Sequence, residues 1–501
     1  MDQDEHTSPL FEGTLLVLSL GIFSITPLFF IEIKQDDWVS GFIPILMVNA
    51  SLKFCVFILI TSFLIGMVWI RVHLNGKIIS YPKSFLLFTG IFLICVILSS
   101  ITSHNFQRAW ISSFQWYFLP IGVVFSLFQL NWSRIRTSIF LTTILIGGIV
   151  SCILVMDQHY QWTDWSHRLP RTGYGALIYN QNFAAEYHAP LIPLAMGLFF
   201  YLRNRLFKIV LLLVIGFIFL PALSLSLARG AWVGMMGGCG ITGFVLLIIY
   251  LKKVIEYKKT NQQGIQLPGE QQNKNGHFGF HALGKVSFSF IILSFALPIY
   301  LYSSDYWKKS AFTNKNQETN HSSSRELDEL KSIVPLDGKG GSNRRIELWQ
   351  DAIASIITND FFLGKGTDHY ELHFHESAEI SDRTTGSLLV RFVHNDFLQL
   401  LYENGFLGLL GFIGLWILLL WRAFIAIMLC CRCNDSANLG LMIGLIASCL
   451  IFLIECFFEF PSRSPCALMV GWSCYGLLFA LSYQVNKEGK FKRNAIKPLL
   501  K

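Results

Sequence analysis

The sequence predicts an all-α polytopic membrane protein with about 12 transmembrane helices and a large extracytoplasmic helical cap loop. Of its 501 residues, 53% are hydrophobic and only 14% are charged, whereas soluble domains average about 45–50% and 25%. Apolar runs of about 20 residues, the length that crosses a bilayer core as a helix, recur along the whole chain. An ordinary soluble enzyme is therefore excluded.

Apolar runs that end at charged and turn residues define the individual spans. We place the twelve spans near residues 11–31, 43–70, 84–101, 112–130, 138–156, 186–202, 209–227, 231–251, 286–303, 397–421, 438–459 and 466–484.

The distribution of basic residues predicts the orientation of these spans. The first residues, MDQDEHTSPLFEG, are acidic where a secretory signal would be basic, which predicts a cytoplasmic tail. With that end inside, the connections assigned to the cytoplasm and the C-terminal tail hold 22 of the 40 Lys and Arg, and the short outer connections hold six. This asymmetry follows the positive-inside rule, so both termini are expected in the cytoplasm. The net charge of +8 then reflects topology and not a nucleic-acid partner.

The long connection between the ninth and tenth spans divides the chain. We expect an N-terminal bundle of about nine helices at 1–303, a periplasmic cap at 304–395, C-terminal transmembrane helices at 396–485 and a basic cytoplasmic tail at 486–501. Within the cap, RRIELWQDAIASII has helical periodicity and carries Arg345 near its start.

Among the polar residues of the predicted spans, Arg229 is the clearest case of a side chain whose placement in the membrane costs free energy. It lies in SLSLARGAWVGM, between two apolar runs with almost no connecting loop. An arginine at the bilayer centre costs about 2.5–3.5 kcal/mol on insertion scales. Either this side chain snorkels to the outer interface, or it faces inward as an anion site, because a planar guanidinium binds phosphate oxygens in bidentate fashion.

A second polar segment, RTGYGALIYNQNFAAEYHAPLIPLA, enters the sixth span from outside with Arg171 and Asn182. Its glycines and asparagines predict a tight, hydrogen-bonded loop. Asn182 fits the cap of that span about as well as it fits a ligand contact.

A third polar segment, VRFVHNDFLQLLYENGF, places His394 and Asn395 immediately before an apolar helix. Neutral imidazole can act as a base near neutral pH, although a lone histidine at a helix start is more often a cap or interface residue. Glu403 is expected inside the span, where it could orient a polar partner or pair with an arginine. His369 and His373 are four residues apart, but HYELH lacks the glutamate placement of the zinc-protease motif, so we expect no metal site.

Together these segments resemble the O-antigen ligase and O-antigen polymerase superfamily, bacterial inner-membrane glycosyltransferases that use polyprenyl-diphosphate-linked glycans. The similarity rests on four segments in the family's order, between residues 170 and 415: NQNFAAEYHAPLIPLA, SLARGAWVG, RIELWQDAI with FFLGKGT, and HNDFLQLLYENGFLGLLGF.

The resemblance implies an inverting, metal-independent transfer without a cofactor. A glycan would move from a polyprenyl-diphosphate donor to an acceptor hydroxyl on the periplasmic face of the inner (cytoplasmic) membrane, with membrane lipid as a further partner. The residues that match the family's motifs are His394, Arg229 and Arg345, with Arg171 as a further donor-site arginine. We expect His394 to act as the catalytic base and the three arginines to bind the diphosphate. From the polar segments themselves we expect Asn395, Glu403 and Asn182 in supporting positions.

Several acceptors remain open, as does a function of another class. The lipid A-core as acceptor would make the protein an O-antigen ligase, which we favour; a second lipid-linked repeat would make it a polymerase, and a protein Ser or Thr an O-oligosaccharyltransferase. A transporter is the alternative, because twelve spans with both ends inside are a common transporter layout. Its best support is the pair Glu455 and Glu459 in the eleventh span, which also fits a structural pair near Arg463.

Overall fold

The computed structural model describes residues 61–63, 65–70, 72–74, 78–163, 175, 178, 180–262, 281–301, 341–358, 361–370 and 392–496. In this part of the chain the protein is all-helical and has no strands. The helices are α1 (Lys83–Thr102), α2 (Phe106–Gln129), α3 (Arg134–Tyr160), α4 (Gln181–Tyr201), α5 (Arg205–Leu225), α6 (Arg229–Gln262), α7 (His281–Leu301), α8 (Gly341–Thr358), α9 (Asp396–Arg432), α10 (Ser436–Phe458) and α11 (Pro465–Ile496).

All of these helices except α8 are long and apolar enough to cross a membrane. They correspond one to one with the third to twelfth predicted spans. The first predicted span lies outside the described residues, and the second is described only towards its end, where 61–63, 65–70 and 72–74 are helical. The predicted fold class is confirmed: the chain is a multi-pass α-helical membrane protein.

Polar side chains fix where several spans begin. Ser133 accepts a hydrogen bond from the backbone N–H of Arg136 at the start of α3, and Asp435 accepts one from Asn438 at the start of α10. Such caps satisfy backbone donors that the first helical turn leaves without an intrahelical partner. Short polar sequences between apolar runs therefore act as helix starts.

Close helix contacts at glycines hold the middle of the bundle together. A Cβ at Gly197 of α4 would lie 3.0 Å from the Cα of Gly444 of α10, so the two backbones touch. One turn further along α10, the Ser448 hydroxyl donates to the carbonyl of Pro190 at 2.8 Å. Small residues allow membrane helices to approach this closely and to gain dispersion contacts.

Helix α9 is broken at Gly405, where φ is 70° and ψ is 179°. The loop 361–366 fills the break: Phe406 N–H donates to the Phe361 carbonyl at 2.9 Å, Lys365 N–H to the Tyr402 carbonyl at 3.0 Å, and Gly366 N–H to the Glu403 carbonyl at 2.8 Å. The sequence predicted an unbroken span through these residues and missed this break. The chain instead forms an outer segment of α9, residues 396–404, followed by the span proper.

We expect Gly405→Ala to destabilise the protein. A Cβ there would lie 2.1 Å from the Phe362 carbonyl oxygen, and the backbone conformation is one that only glycine adopts without a cost of about 1–3 kcal/mol. Thermal unfolding in detergent should show a clearly lowered Tm. Gly90→Ala in α1 is the matched control, because nothing lies within 4 Å of its Cβ position; equal Tm values for the two variants would contradict this account of the break.

Candidate functional site

His394 lies immediately before α9 in a left-handed backbone conformation, with φ at 56°. This conformation costs a non-glycine residue about 1–2 kcal/mol. The neighbours on both sides hold it in place: Val393 N–H donates to the side chain of Gln399 at 2.8 Å, and the Asn395 side chain caps α9 by accepting from Leu398 N–H at 3.0 Å. Residues with a strained backbone that is held in place by neighbouring contacts are found most often at functional sites.

A buried carboxylate, Glu459, joins His394 to Arg345. Glu459 follows the last residue of α10, and its side chain is 3% exposed. Its Oε1 pairs with the guanidinium of Arg345, and its Oε2 accepts from Nδ1–H of His394 at 3.3 Å. With the proton on Nδ1, the lone pair of the ring is on Nε2. The side chains of His394 and Arg345 are each about one-third exposed, so both can reach a ligand.

The turn that carries Arg229 is tightly built. Only residues 226–228 separate α5 from α6, and Leu227 among them has φ at 54°. The indole N–H of the fully buried Trp232 reaches back across the turn to the Leu223 carbonyl at 2.9 Å. These contacts fix Arg229 as the first residue of α6.

This turn contacts the same carboxylate. A Cβ at Gly230 would lie 2.6 Å from Cγ of Glu459, so the backbone beside Arg229 rests on the side chain that holds Arg345 and His394. The structure thus brings together three sequence-predicted segments: the turn motif, the cap helix and the loop-end histidine.

Two contacts fasten the outer segment of α9 to the connection between α10 and α11. Near His394, the Asp396 carboxylate accepts from Ser462 N–H at 2.9 Å. Nine residues after His394, at the other end of this segment, Glu403 forms a fully buried ion pair with Arg463. Of the two roles that the sequence leaves open for Glu403, the structure shows the pairing with an arginine, and that arginine is Arg463.

Other sequence-predicted residues have different surroundings. Arg171 lies outside the described residues. Asn182 is not the cap of α4: that residue is Asn180, whose side chain accepts from Asn182 N–H at 2.8 Å. Among the described residues no contact joins Asn182 to His394.

His369 is engaged in structural hydrogen bonds through both ring nitrogens. Its Nε2 accepts from Asn105 N–H at 3.1 Å, and its Nδ1 donates to the Thr367 carbonyl at 2.9 Å. The adjacent Asp368 pairs with Arg108 at 3.1 Å. These bonds attach loop 361–370 to the connection between α1 and α2 and to the first turn of α2. His373 lies outside the described residues.

A comparison with known families finds a match over part of the chain. Residues 215–413 match the Wzy_C family model, described as O-Antigen ligase. The chain contains an O-antigen ligase domain. Such a domain implies a transferase enzyme of the O-antigen ligase or polymerase type, which carries out glycan transfer at a membrane. No curated protein matches the chain.

The O-antigen ligase domain includes Arg229, Arg345 and His394, whereas Glu459 lies beyond its matched end. From the sequence, Glu459 is expected either in a proton-coupled transporter or in a structural pair with Glu455, and its contact with His394 is not predicted. The available signal was its position: an acidic residue at the very end of an apolar span is costly unless a partner compensates it.

The Glu403–Arg463 pair yields a stability prediction. Arg463→Met should destabilise the protein by about 3–5 kcal/mol, because it leaves a buried carboxylate without its cation. The double variant Glu403→Leu/Arg463→Met should recover most of this loss, since replacing both partners removes the unpaired charge. Tm values of purified protein in detergent would test this, and a double variant no more stable than the single one would refute it.

Proposed function

We propose that the protein is an O-antigen ligase that transfers a glycan from a polyprenyl-diphosphate donor to a hydroxyl of the lipid A-core. Under this proposal the site faces the periplasm, the membrane is the bacterial inner membrane, and both termini are cytoplasmic. The observation that supports it best is the shared carboxylate of Glu459, which holds an imidazole and a guanidinium side by side next to the Arg229 turn.

His394 acts as the general base. The acceptor oxygen attacks the anomeric carbon while its proton passes to Nε2 of His394. The bond between that carbon and the diphosphate oxygen breaks, and its electron pair leaves with the diphosphate. Glu459 keeps the Nδ1 proton in place and stabilises the imidazolium that forms. Base assistance of this kind is typically worth about 10²–10⁴-fold in rate.

Arginines stabilise the leaving group. A diphosphate departs readily when its growing charge is held, and fixed cationic donors do this without a divalent ion. A guanidinium has five N–H donors, and the contact with Glu459 leaves most of the N–H donors of Arg345 for a ligand. Arg229 supplies a second cation at the start of α6, and we assign Arg171 to the same role.

The position of the site favours transfer over transport. His394, Glu459 and Arg229 all lie at the ends of helices on one face of the bundle, which we call the site face. Transporters typically bind substrate near the bilayer midplane between broken helices. Here the break in α9 is filled by hydrogen bonds from loop 361–366.

The acceptor can be identified by deleting the gene and separating lipopolysaccharide on a gel. Ligation predicts core without attached polymer, and restoration by a plasmid copy. A core that carries a single repeat would instead identify a polymerase. Unchanged lipopolysaccharide would argue against both functions and favour transfer to protein or transport.

Purified variants test the roles of individual residues. His394→Ala should lower kcat at least about 100-fold with little change in the KM for donor, because the base acts in the chemical step. Glu459→Gln should also lower kcat, since a neutral amide stabilises the imidazolium less than a carboxylate does. His104→Ala is the matched control, because His104 is an exposed histidine between α1 and α2. Full activity of the His394 variant would remove this residue from the mechanism.

A further inference from the structure

The buried ion pair between Glu403 and Arg463 continues as a line of hydrogen bonds towards His394. Oε1 of Glu403 accepts from the side-chain amide nitrogen of Gln399. The amide oxygen of Gln399 in turn accepts from the backbone N–H of Val393 at 2.8 Å. Val393 is the residue before His394, so consecutive contacts lead from the ion pair to the backbone that carries the imidazole. We call this line of contacts the Gln399 relay.

The helix and the interior of the bundle fix the groups of the Gln399 relay. Gln399 and Glu403 are four residues apart in the outer segment of α9, so their side chains lie on the same face of the helix. Both residues are buried, at 1% and 0% exposure. Nη2 of Arg463 donates to Glu403 and also to the hydroxyl of Tyr117 in α2, the latter at 2.9 Å. The relay therefore begins at a cation that a second helix holds in place.

The amide of Gln399 fits this line in one orientation. Its oxygen faces a donor, the N–H of Val393, and its NH2 group faces a carboxylate that already accepts from Arg463. A rotated amide would put NH2 against N–H and oxygen against carboxylate, and would leave buried polar atoms without partners. Residue 399 must therefore supply an acceptor and a donor at once, which neither an ionised glutamate nor a methionine can do.

The backbone at His394 needs such a support. Its left-handed conformation is unfavourable for a residue with a side chain. The helix cap at Asn395 fixes the residue after it, and the Gln399 relay fixes the residue before it. If Val393 is released, the φ of His394 can relax towards an ordinary value. The ring then moves away from Oε2 of Glu459, to which it is bonded in the structure.

We propose that Gln399 is a positioning residue for the transfer reaction. The carboxylate of Glu403 orients its amide, and the amide holds the backbone that keeps His394 against Glu459. This inference rests on the proposed function, because it takes His394 as the base. The ion pair with Arg463 then has a second role besides stability, since its charge sets the polarity of the whole relay.

An exchange of the two side chains tests the relay. Gln399→Glu alone sets two carboxylates against each other, and Glu403→Gln alone sets an NH2 group against a second donor. The double variant Gln399→Glu/Glu403→Gln restores every contact: the new carboxylate accepts from Val393 N–H and from the new amide, whose oxygen accepts from Arg463. We expect each single variant to lower kcat about 10–100-fold with little change in the KM for donor, since a misplacement of about 1 Å can cost about 10²-fold. The double variant should recover most of the wild-type kcat.

Ring ¹⁵N NMR reports the state of the imidazole without any transfer reaction. Protein labelled at the histidine ring nitrogens is measured in detergent without donor or acceptor, and the His394 signals are assigned by their loss in His394→Ala. We expect the Nδ1–H form in the wild type and in the double variant, because Glu459 stabilises it, and a mixture of the two neutral forms in the single variants. Single variants with wild-type signals would overturn the proposal, as would a double variant no closer to the wild type than they are.

Two further variants separate positioning from stability. Gln399→Met adds no buried charge and has a similar length, so it burdens folding less, and it should lower kcat as well because it cannot hold Val393. Gln129→Glu is the matched control, since this buried glutamine at the end of α2 bonds both the N–H and the carbonyl of Ile79 and takes no part in the relay. It should lower Tm but leave kcat and the His394 signals unchanged. Full kcat in Gln399→Met, or a kcat lowered equally in Gln129→Glu, would contradict the proposal.

The positioning role and the ligase function can fail separately. If the His394 signals respond to the exchange as expected but the protein transfers nothing to lipid A-core, the ligase function is refuted and the relay stands. If the wild-type protein transfers glycan while kcat and the His394 signals do not respond to the exchange, the relay is refuted and the ligase function stands.

Discussion

The candidate site depends on the requirement that a carboxylate withdrawn from water must have cationic or hydrogen-bonding partners. Glu459 is almost completely buried at the end of α10. Its two oxygens meet this requirement by binding two side chains from different parts of the chain, Arg345 from α8 and His394 from the start of α9. The same carboxylate therefore orients the imidazole and anchors the helix that carries the arginine.

Preorganisation around His394 has a structural cost that the neighbouring contacts offset. Its left-handed backbone is fixed between the Gln399 and Asn395 hydrogen bonds. The outer segment of α9 that follows is bound to the connection between α10 and α11 through Asp396 and Glu403. His394 and Glu459 thus belong to two elements that are fastened to each other at two points, which is how a short-range hydrogen bond keeps its geometry.

Span composition was sufficient to predict most of the fold. Ten apolar runs matched ten observed helices, since hydrophobic length is a direct physical requirement of crossing a bilayer. The motif residues Arg229, Arg345 and His394 also gather in one region. The role of Glu459 was not predicted, because the residues it contacts depend on how α8 and α10 pack together, which no local sequence pattern encodes. The break at Gly405 was not predicted for the same reason: the loop that fills it lies about forty residues earlier in the chain.

That break bears on how the protein is made. Residues 361–366 are synthesised before residues 402–406, so the segment that supplies the hydrogen-bond partners of the break has already left the ribosome when residues 402–406 emerge. The carbonyls of residues 402 and 403 can therefore be paired as soon as the bend at Gly405 forms, which spares the chain the free-energy cost of leaving them unpaired near lipid. Chain order thus makes an earlier loop available to complete a later helix.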